Sequence, residues 1–295
     1  MRTGLAVLAA AAMLCAPAMA QNGEGAKVVG AGECPGHPDA LGVSRVVEID
    51  TTGGPGFGFE HFKAYDFLRD KEVILTFDDG PWPGNTPAVL KALAEHCTKA
   101  LFFAIGKHAG WHPEILRQVA AAGHTIGSHT WSHKDLSSKK LTPDDAKAEI
   151  EKGISAVSIA LGGKPIAPFI RFPALRHPPG MVAYVGARNI AMFSTDVDSF
   201  DFKTHKPERI VETVMKKLDK RGKGIILMHD FQPGTAHGIA TLLARLKEGG
   251  YKVVQVKGKE PLKSLPEFDD IVKKEIGGGI ENARPMSSVI KTISE

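Results

Sequence analysis

At 295 residues, with 43% hydrophobic and 24% charged side chains, the chain can bury a substantial core and fits one large domain or two small ones, which excludes a disordered protein. Its formal net charge of +4 is small and evenly spread, so composition gives no reason to expect a nucleic-acid partner.

Residues 1–20 read as an export signal, with a basic start at Arg2, an apolar run from Leu5 to Cys15, and Ala18-Met19-Ala20 before Gln21. The run is too short to stay in a bilayer and no later stretch approaches about 18 apolar residues, so no stable membrane insertion is expected. Leu14 stands where a lipoprotein signal would want a small residue, which leaves a soluble periplasmic or extracellular protein. Without Arg2 the count is 36 basic against 33 acidic residues, or +3. Cys34 and Cys97 then remain; in an oxidising compartment they can form one disulfide, and two unpaired thiols stay open as the alternative.

Residues 21–70 are rich in glycine and proline around Gly53-Gly54-Pro55-Gly56-Phe57-Gly58, and hold one strand-like run, Ser44 to Ile49. They read as an N-terminal extension packing on the main domain. From Glu72 onward short apolar runs alternate with helical periodicity. Strands are expected at Val73–Phe77, Ala100–Ile105, Thr125–Ile126, Phe169–Arg171, Ile190–Phe193, Gly224–Met228 and Val253–Val256. Helices are expected at Thr86–His96, Pro113–Ala122, Thr142–Leu161, Pro179–Ala187, Pro207–Leu218 and Ala236–Glu248, several opened by a cap or a proline. This alternation implies an α/β fold with a parallel sheet under helices, and about seven units favour a closed or nearly closed (β/α) barrel over residues 71–256. Residues 257–295, charged and carrying Gly277-Gly278-Gly279, read as a partly ordered C-terminal extension.

Functional residues of such barrels lie at the C-terminal ends of strands. Asp78, Asp79, Arg171, Asp196, Asp198, His229 and Asp230 all follow strand candidates and are expected on one rim. Asp78 and Asp79 are an unusual end for a buried strand, because adjacent side chains point to opposite faces and both carboxylates need partners. Ordinary Asp-Gly-Pro turn chemistry is the alternative.

His129 and His133, four apart, would share one face of a helix or helical turn, so both rings can reach one ion. A carboxylate from a strand end completes a three-ligand site with a position open to water. Zinc is the default ion, and cobalt, nickel or iron accept similar ligands. In a chain with twelve histidines, solvated or packed rings are the alternative. His229, after the apolar run Gly224–Met228, suits proton delivery at a barrel mouth. Arg171 is either a surface cation or a bidentate clamp on Asp78. Asp196, Asp198 and Asp201, with Phe200 and Phe202, form an acidic cluster that lacks the glycine and final glutamate of an EF-hand. The other histidines, His61, His108, His112 and His177 among them, read as surface or packing residues.

The ordered set Thr76-Phe-Asp78-Asp79-Gly-Pro81, His129-Thr-x-x-His133, Arg171-x-Pro173, Asp198-x-x-Asp201 and Leu227-x-His229-Asp230 resembles the polysaccharide deacetylase family, the NodB-homology domain of carbohydrate esterase family four. The resemblance covers roughly Glu72 to Val256. It implies a distorted (β/α) barrel and a metal-dependent hydrolase removing N-acetyl or O-acetyl groups from sugars. Carried over by position, Asp79, His129 and His133 would bind the metal and Asp78 would be the general base. His229 would be the general acid, Arg171 would orient Asp78, Asp201 would tune His229, and Leu227 would line the acetyl pocket. Two departures stand out. Arg171-Phe-Pro173-Ala174 lacks the family's tyrosine after proline, which spares a backbone donor but removes an aromatic surface, and Phe202 replaces the customary tryptophan.

The expectation is therefore an exported deacetylase acting on an acetylated glycan such as peptidoglycan, chitin-like oligomers or an exopolysaccharide. Hydrolysis of cyclic imides or related amides on the same fold is a second reading, disfavoured by the secretory start. A vestigial glycan-binding protein is a third, and the complete set Asp78, Asp79, His129, His133 and His229 argues against it. Oligomeric state is not legible in the sequence.

Overall fold

The computed structural model describes Met1 and residues 40–281; residues 2–20 of the expected signal and Cys34 lie outside them. Cys97 is disulfide-bonded. Ten strands and eight helices follow in order: β1 Arg45–Ile49, β2 Gly56–Phe57, β3 Glu72–Asp78, α1 Asn85–Glu95, β4 Leu101–Ala104, α2 Gly106–Trp111, α3 Pro113–Ala121, β5 Thr125–Ser128, α4 Pro143–Ala160, β6 Phe169–Ile170, α5 Pro179–Ala187, β7 Ala191–Phe193, β8 Val197–Asp198, α6 Pro207–Arg221, β9 Gly224–His229, α7 Pro233–Glu248, β10 Lys252–Gly258 and α8 Pro266–Glu281. Among the described residues no helix is long and apolar enough to cross a membrane.

β3 shows how sequence places the site. Every residue of the strand is buried. Val73, Leu75 and Phe77 pack outward under the helices, while Ile74 joins the interior cluster, and the same alternation turns Thr76 and Asp78 inward. Helix starts follow the expected signals: α4 opens with Pro143 behind a Thr142–Asp145 capping box.

β3, β4, β5, β6 and β7 pair in parallel, β9 lies on the other edge of β3, and β8 lies on β9. β7 and β8 are consecutive, and the short bend between them carries the wall from β6 round to β9. Seven parallel strands thus form a distorted barrel. Its membership differs from the expected set, because β8 is a stave that two residues cannot announce by periodicity, and β10 is not a full stave. β10 pairs with β3 only at Lys252 and Val253, and with β1 along its length. Val47, Ile49, Val254 and Val256 from these two strands join Ile74, Phe103, Phe169, Phe193 and Ile225 in the interior, so β1 and β10 plug the N-terminal end. Each such side chain is worth about 1.5–3 kcal/mol of burial.

Asp196 is a correction to the expected rim. Its carboxylate accepts from the backbone N–H of Phe59 and Ile225 and pairs with Arg221, which places it at the start of β9, the opposite end of the barrel. Two helices also escaped the sequence reading. α2 is only six residues long, and α8, inside the expected loose tail, packs Val272 with Trp131 and Ala156.

Candidate active site

β3 ends at Asp78, and Asp79 takes a left-handed backbone conformation, φ 72°, that turns the chain at the barrel mouth. Asp79 Oδ1 lies 3.4 Å from His129 Nε2 and 3.5 Å from His133 Nε2. One ligand atom from each of the three residues lies within 4.8 Å of the others. Asp79 Oδ1 is buried without a hydrogen-bond partner. A carboxylate oxygen left unpaired opposite two imidazole nitrogens is costly as it stands and fits a divalent cation. His129 Nδ1 is 2.7 Å from the Arg171 carbonyl, which can only accept, so Nδ1 carries the proton and the Nε2 lone pair faces Asp79. Burial pushes His129 below the usual histidine pKa, against the pull of Asp78, which favours the neutral ring that metal ligation requires.

The two histidines do not share a helix. Residues 129–133 form a loop in which Thr130 and His133 have φ of 66° and 57°, and the rings converge at 4.8 Å between centroids. α4 supplies the reason. Glu149, buried there, accepts from the Ser132 N–H and hydroxyl and pairs with Lys134, while its carbonyl takes the Trp131 N–H. Gly106 and Lys107 at the start of α2 donate to the Thr130 and Trp131 carbonyls.

Arg171 crosses the barrel interior fully buried. Its Nη1 donates to Asp78 Oδ1 at 2.7 Å and to Thr76 Oγ1 at 2.8 Å, and Nε and Nη2 reach the carbonyls of Phe193 and Ser194. The expected bidentate clamp is therefore absent: the guanidinium spreads its donors over β3 side chains and the carbonyls at the end of β7, and grips one carboxylate oxygen. Asp78 Oδ2 stays on the side of His129 Nε2, 3.8 Å away.

Opposite, Asp201 is fully buried and anchors His229. Its Oδ1 is 2.6 Å from His229 Nδ1 and its Oδ2 accepts the His229 N–H and the Thr235 hydroxyl. Nδ1 therefore holds a proton and Nε2 faces the cleft, 4.0 Å from Asp79 Oδ2. Burial by itself would lower the pKa of His229, but the hydrogen bond and charge of Asp201, then Asp79 and Asp78, raise it to about 9.

A chitooligosaccharide deacetylase of Azorhizobium caulinodans is 34% identical over 168 residues, 56% of this chain and 76% of that protein. The chain belongs to the polysaccharide deacetylase family. The family's own sequence model, described as polysaccharide deacetylase, matches residues 67–191. A peptidoglycan-N-acetylglucosamine deacetylase of Listeria monocytogenes is 32% identical over 190 residues, covering 63% of this chain, which spans only 38% of that relative's length. Among solved structures, a peptidoglycan deacetylase of Bdellovibrio bacteriovorus superposes with a TM-score of 0.66 at 34% identity, over 73% of this chain and 59% of that one.

Around these residues the walls form a cleft of about 550 Å³, lined by Asp78, Asp79, His129, His133, Asp198, His229, Leu227, Ala174 and Phe202 among others. Ala174 and Leu175, which follow Pro173 on the cleft wall, both adopt left-handed backbone, φ 52° and 54°. Glu60 and His61, from the segment after β2, also line the cleft. Nothing in their local sequence pointed to it, since the contact depends on β2 pairing with β7. Two further residues support the site: His108, expected as a surface or packing residue, and Asp230, expected on the rim but fully buried behind it. His108 Nδ1 donates to the Asp79 carbonyl at 2.6 Å, and Asp230 accepts from the Gly80 N–H and the Thr86 hydroxyl, fixing the turn after Asp79. A side chain at Gly80 would collide with that Asp230 carboxylate.

Proposed function

We propose that the chain removes acetyl groups from an N-acetylated glycan of the kind its relatives' names carry, peptidoglycan or chitin-type oligomers, after export directed by residues 1–20. The observation that carries this reading is the convergence on one cleft of the Asp79–His129–His133 group, the Arg171-held Asp78 and the Asp201-held His229. The catalytic unit is proposed as residues 71–256, with residues 21–70 and 257–295 as extensions.

Asp79, His129 and His133 would hold a divalent cation, zinc by default, with cobalt, nickel or iron compatible, and when bound it would supply Lewis acidity to the acetyl carbonyl and to the attacking water. Asp78, aligned by Arg171, accepts the proton of that water through Oδ2. As the C–N bond breaks, His229 delivers its Nε2 proton to the departing amine. Acetate and a free amino sugar leave, and solvent returns His229 and Asp78 to their starting states. Asp201 keeps the acid charged and pointed inward, while Leu227 receives the acetyl methyl and Ala174 and Phe202 shape the surrounding wall. The base and the acid stand on opposite sides of the acetyl position, so their opposite protonation needs do not conflict. The same roles serve an O-acetyl ester.

The test is acetate release from chitin oligomers, peptidoglycan fragments and acetylated xylan, with and without a chelator. Release from at least one N-acetylated substrate, abolished by chelation and restored by zinc, is expected. Metal-loaded protein that turns over none of them would favour an imide hydrolase or a glycan-binding protein instead.

A further inference from the structure

A second cavity lies at the end of the barrel away from the chemistry. It holds about 560 Å³, inside the span of small-molecule sites at about 300–1,000 Å³, and it shares no lining residue with the catalytic cleft. His124 stands on its wall just before β5, and His129 follows the other end of that four-residue strand, so about 13 Å of strand separates the two sites. Three connections build the walls. The last turns of α3 bring Arg117 and Ala121 to one side. The chain leaves α4 through two left-handed glycines, Gly162 and Gly163, both at φ 78°, which swing Lys164 to Pro168 across the second side. The turn after β10 closes the third: Ile166 and Leu262 exchange backbone hydrogen bonds, and a Cβ at Gly258 would come within 2.3 Å of the Pro168 ring.

The floor of this cavity is apolar and its rim is basic. Ile126, Ile166, Ala167 and Pro168 supply the floor, Arg117, Lys164 and Lys257 are exposed cations on the rim, and no aspartate or glutamate lines it. Some of the positive charge here is already engaged. Arg117 donates to the Ala160 carbonyl at 3.0 Å and the neighbouring Lys99 to the Ala122 carbonyl at 2.7 Å, which answers the negative ends of α4 and α3. Lys164 and Lys257 have no side-chain hydrogen bond or ion pair among the described residues. His124 adds an uncharged donor. The ring is only 8% exposed and its Nδ1 accepts the Ala100 N–H at 3.2 Å, so the neutral imidazole carries its proton on Nε2. That N–H has no acceptor among the described residues and belongs to a ring on the cavity wall. Burial, and after it the charge of Lys99, lowers the pKa of His124 to about 3, so the ring stays neutral and keeps this donor. A donor held in so buried a side chain costs free energy until something accepts from it.

We infer that this cavity binds a small amphipathic anion, whose apolar body lies on the floor between Ile126 and Ile166 and whose carboxylate or phosphate head is met by Lys164, Lys257 and the His124 Nε2–H. Charge complementarity names the head, since two unpartnered ammonium groups and one neutral N–H converge where no carboxylate stands. The apolar floor calls for a body as well as a head, because a bare inorganic ion would leave that surface wet. The volume limits the occupant to one molecule of ordinary metabolite size. A bilayer fits less well, because none of the large apolar side chains exposed among residues 40–281 lines this cavity to anchor it in an interface. The site is independent of the glycan cleft and goes beyond the deacetylase reading.

The test titrates the full chain by calorimetry with decanoate, with decanol as an apolar body lacking the charge, and with inorganic phosphate as a charge lacking the body. Decanoate should bind at one site per chain and at least about tenfold tighter than either of the other two, the size expected when a charged head gains hydrogen bonds. Two variants locate the site. Lys164→Gln combined with Lys257→Gln should bring decanoate down to the affinity of decanol, and Ala121→Phe, which fills the cavity from an exposed position on α3, should abolish its binding. All three positions are exposed, so melting curves close to wild type should accompany the loss. Decanoate binding that survives in both variants lies elsewhere, the metal group included, and would overturn the inference. Phosphate binding as tightly as decanoate would overturn it in favour of a bare anion site, and sedimentation with phosphatidylglycerol vesicles without decanoate binding would overturn it in favour of a membrane-facing patch. Acetate release, measured in parallel, keeps the two readings apart. Release without decanoate binding sinks only the cavity proposal, and decanoate binding without release sinks only the deacetylase.

Discussion

Arg171 gives up a bidentate grip on Asp78 in order to satisfy Thr76 and two carbonyls, and that division leaves one Asp78 oxygen free to work as a base. Asp78→Asn should therefore keep metal at full stoichiometry while turnover falls by roughly 10²–10⁴, the usual contribution of a positioned proton acceptor. Elemental analysis alongside acetate release checks this; parallel loss of metal and rate would mean that Asp78 is a ligand. The acid side gives a pH prediction. His229 is raised from 6.5 to about 9 in the folded protein, so its imidazolium proton, and the stability of its pairing with Asp201, are fully present below about 6.5 and lost as pH climbs toward 9. A cation bound at Asp79 would offset that aspartate's share of the shift and leave Asp201 as its main source. Turnover should fall on the alkaline side, at or below about pH 9, and Asp201→Asn should move that fall to lower pH. An unmoved alkaline limb in kcat/KM profiles would remove Asp201 from its assigned role.

The loop carrying His129 and His133 is an element built by its neighbour. On α4, a Cβ at Gly153 would come within 2.5 Å of the Thr130 carbonyl carbon, so the helix can approach the loop only as glycine. Gly153→Ala must push that backbone away, at a cost of about 1–3 kcal/mol, and should weaken zinc binding about tenfold by spreading the two rings. Unchanged zinc affinity in a competition titration would show that the loop holds its shape without α4. The same element marks the limit of what could be read from sequence. The residues that converge, their order and the strand-end positions of Asp78, Asp79 and His229 were legible, because strand alternation and apolar runs are local. The path of residues 129–133 was not, since it is set by Glu149, Gly106 and Gly153 at long range, and a helix was the simplest local guess. β8 and the displaced Asp196 were missed for a related reason. Two residues of strand carry no period, and the bend between β7 and β8 sends one aspartate to each end of the barrel.

At the scale of the whole molecule, the plug formed by β1 and β10 closes one end of the barrel and leaves the other free for chemistry, so the site sits on a packed interior and not above a channel. Asp79, His129 and His133 come from two strand ends joined to that core, which ties occupancy of the site to global stability. A cation that binds the folded chain alone stabilises it by about 2.7 kcal/mol at one hundred times its dissociation constant. For a domain of this size each kcal/mol moves the midpoint by roughly 2–4 °C, so chelation should lower Tm by roughly 5–10 °C and added zinc should restore it. His129→Ala removes one ligand whose ring is also buried, so its Tm should be lower at the outset and indifferent to chelator. If wild-type Tm ignores chelator while acetate release depends on it, the cation binds too weakly to be part of the folded state, and the three residues form a transient site filled along with substrate.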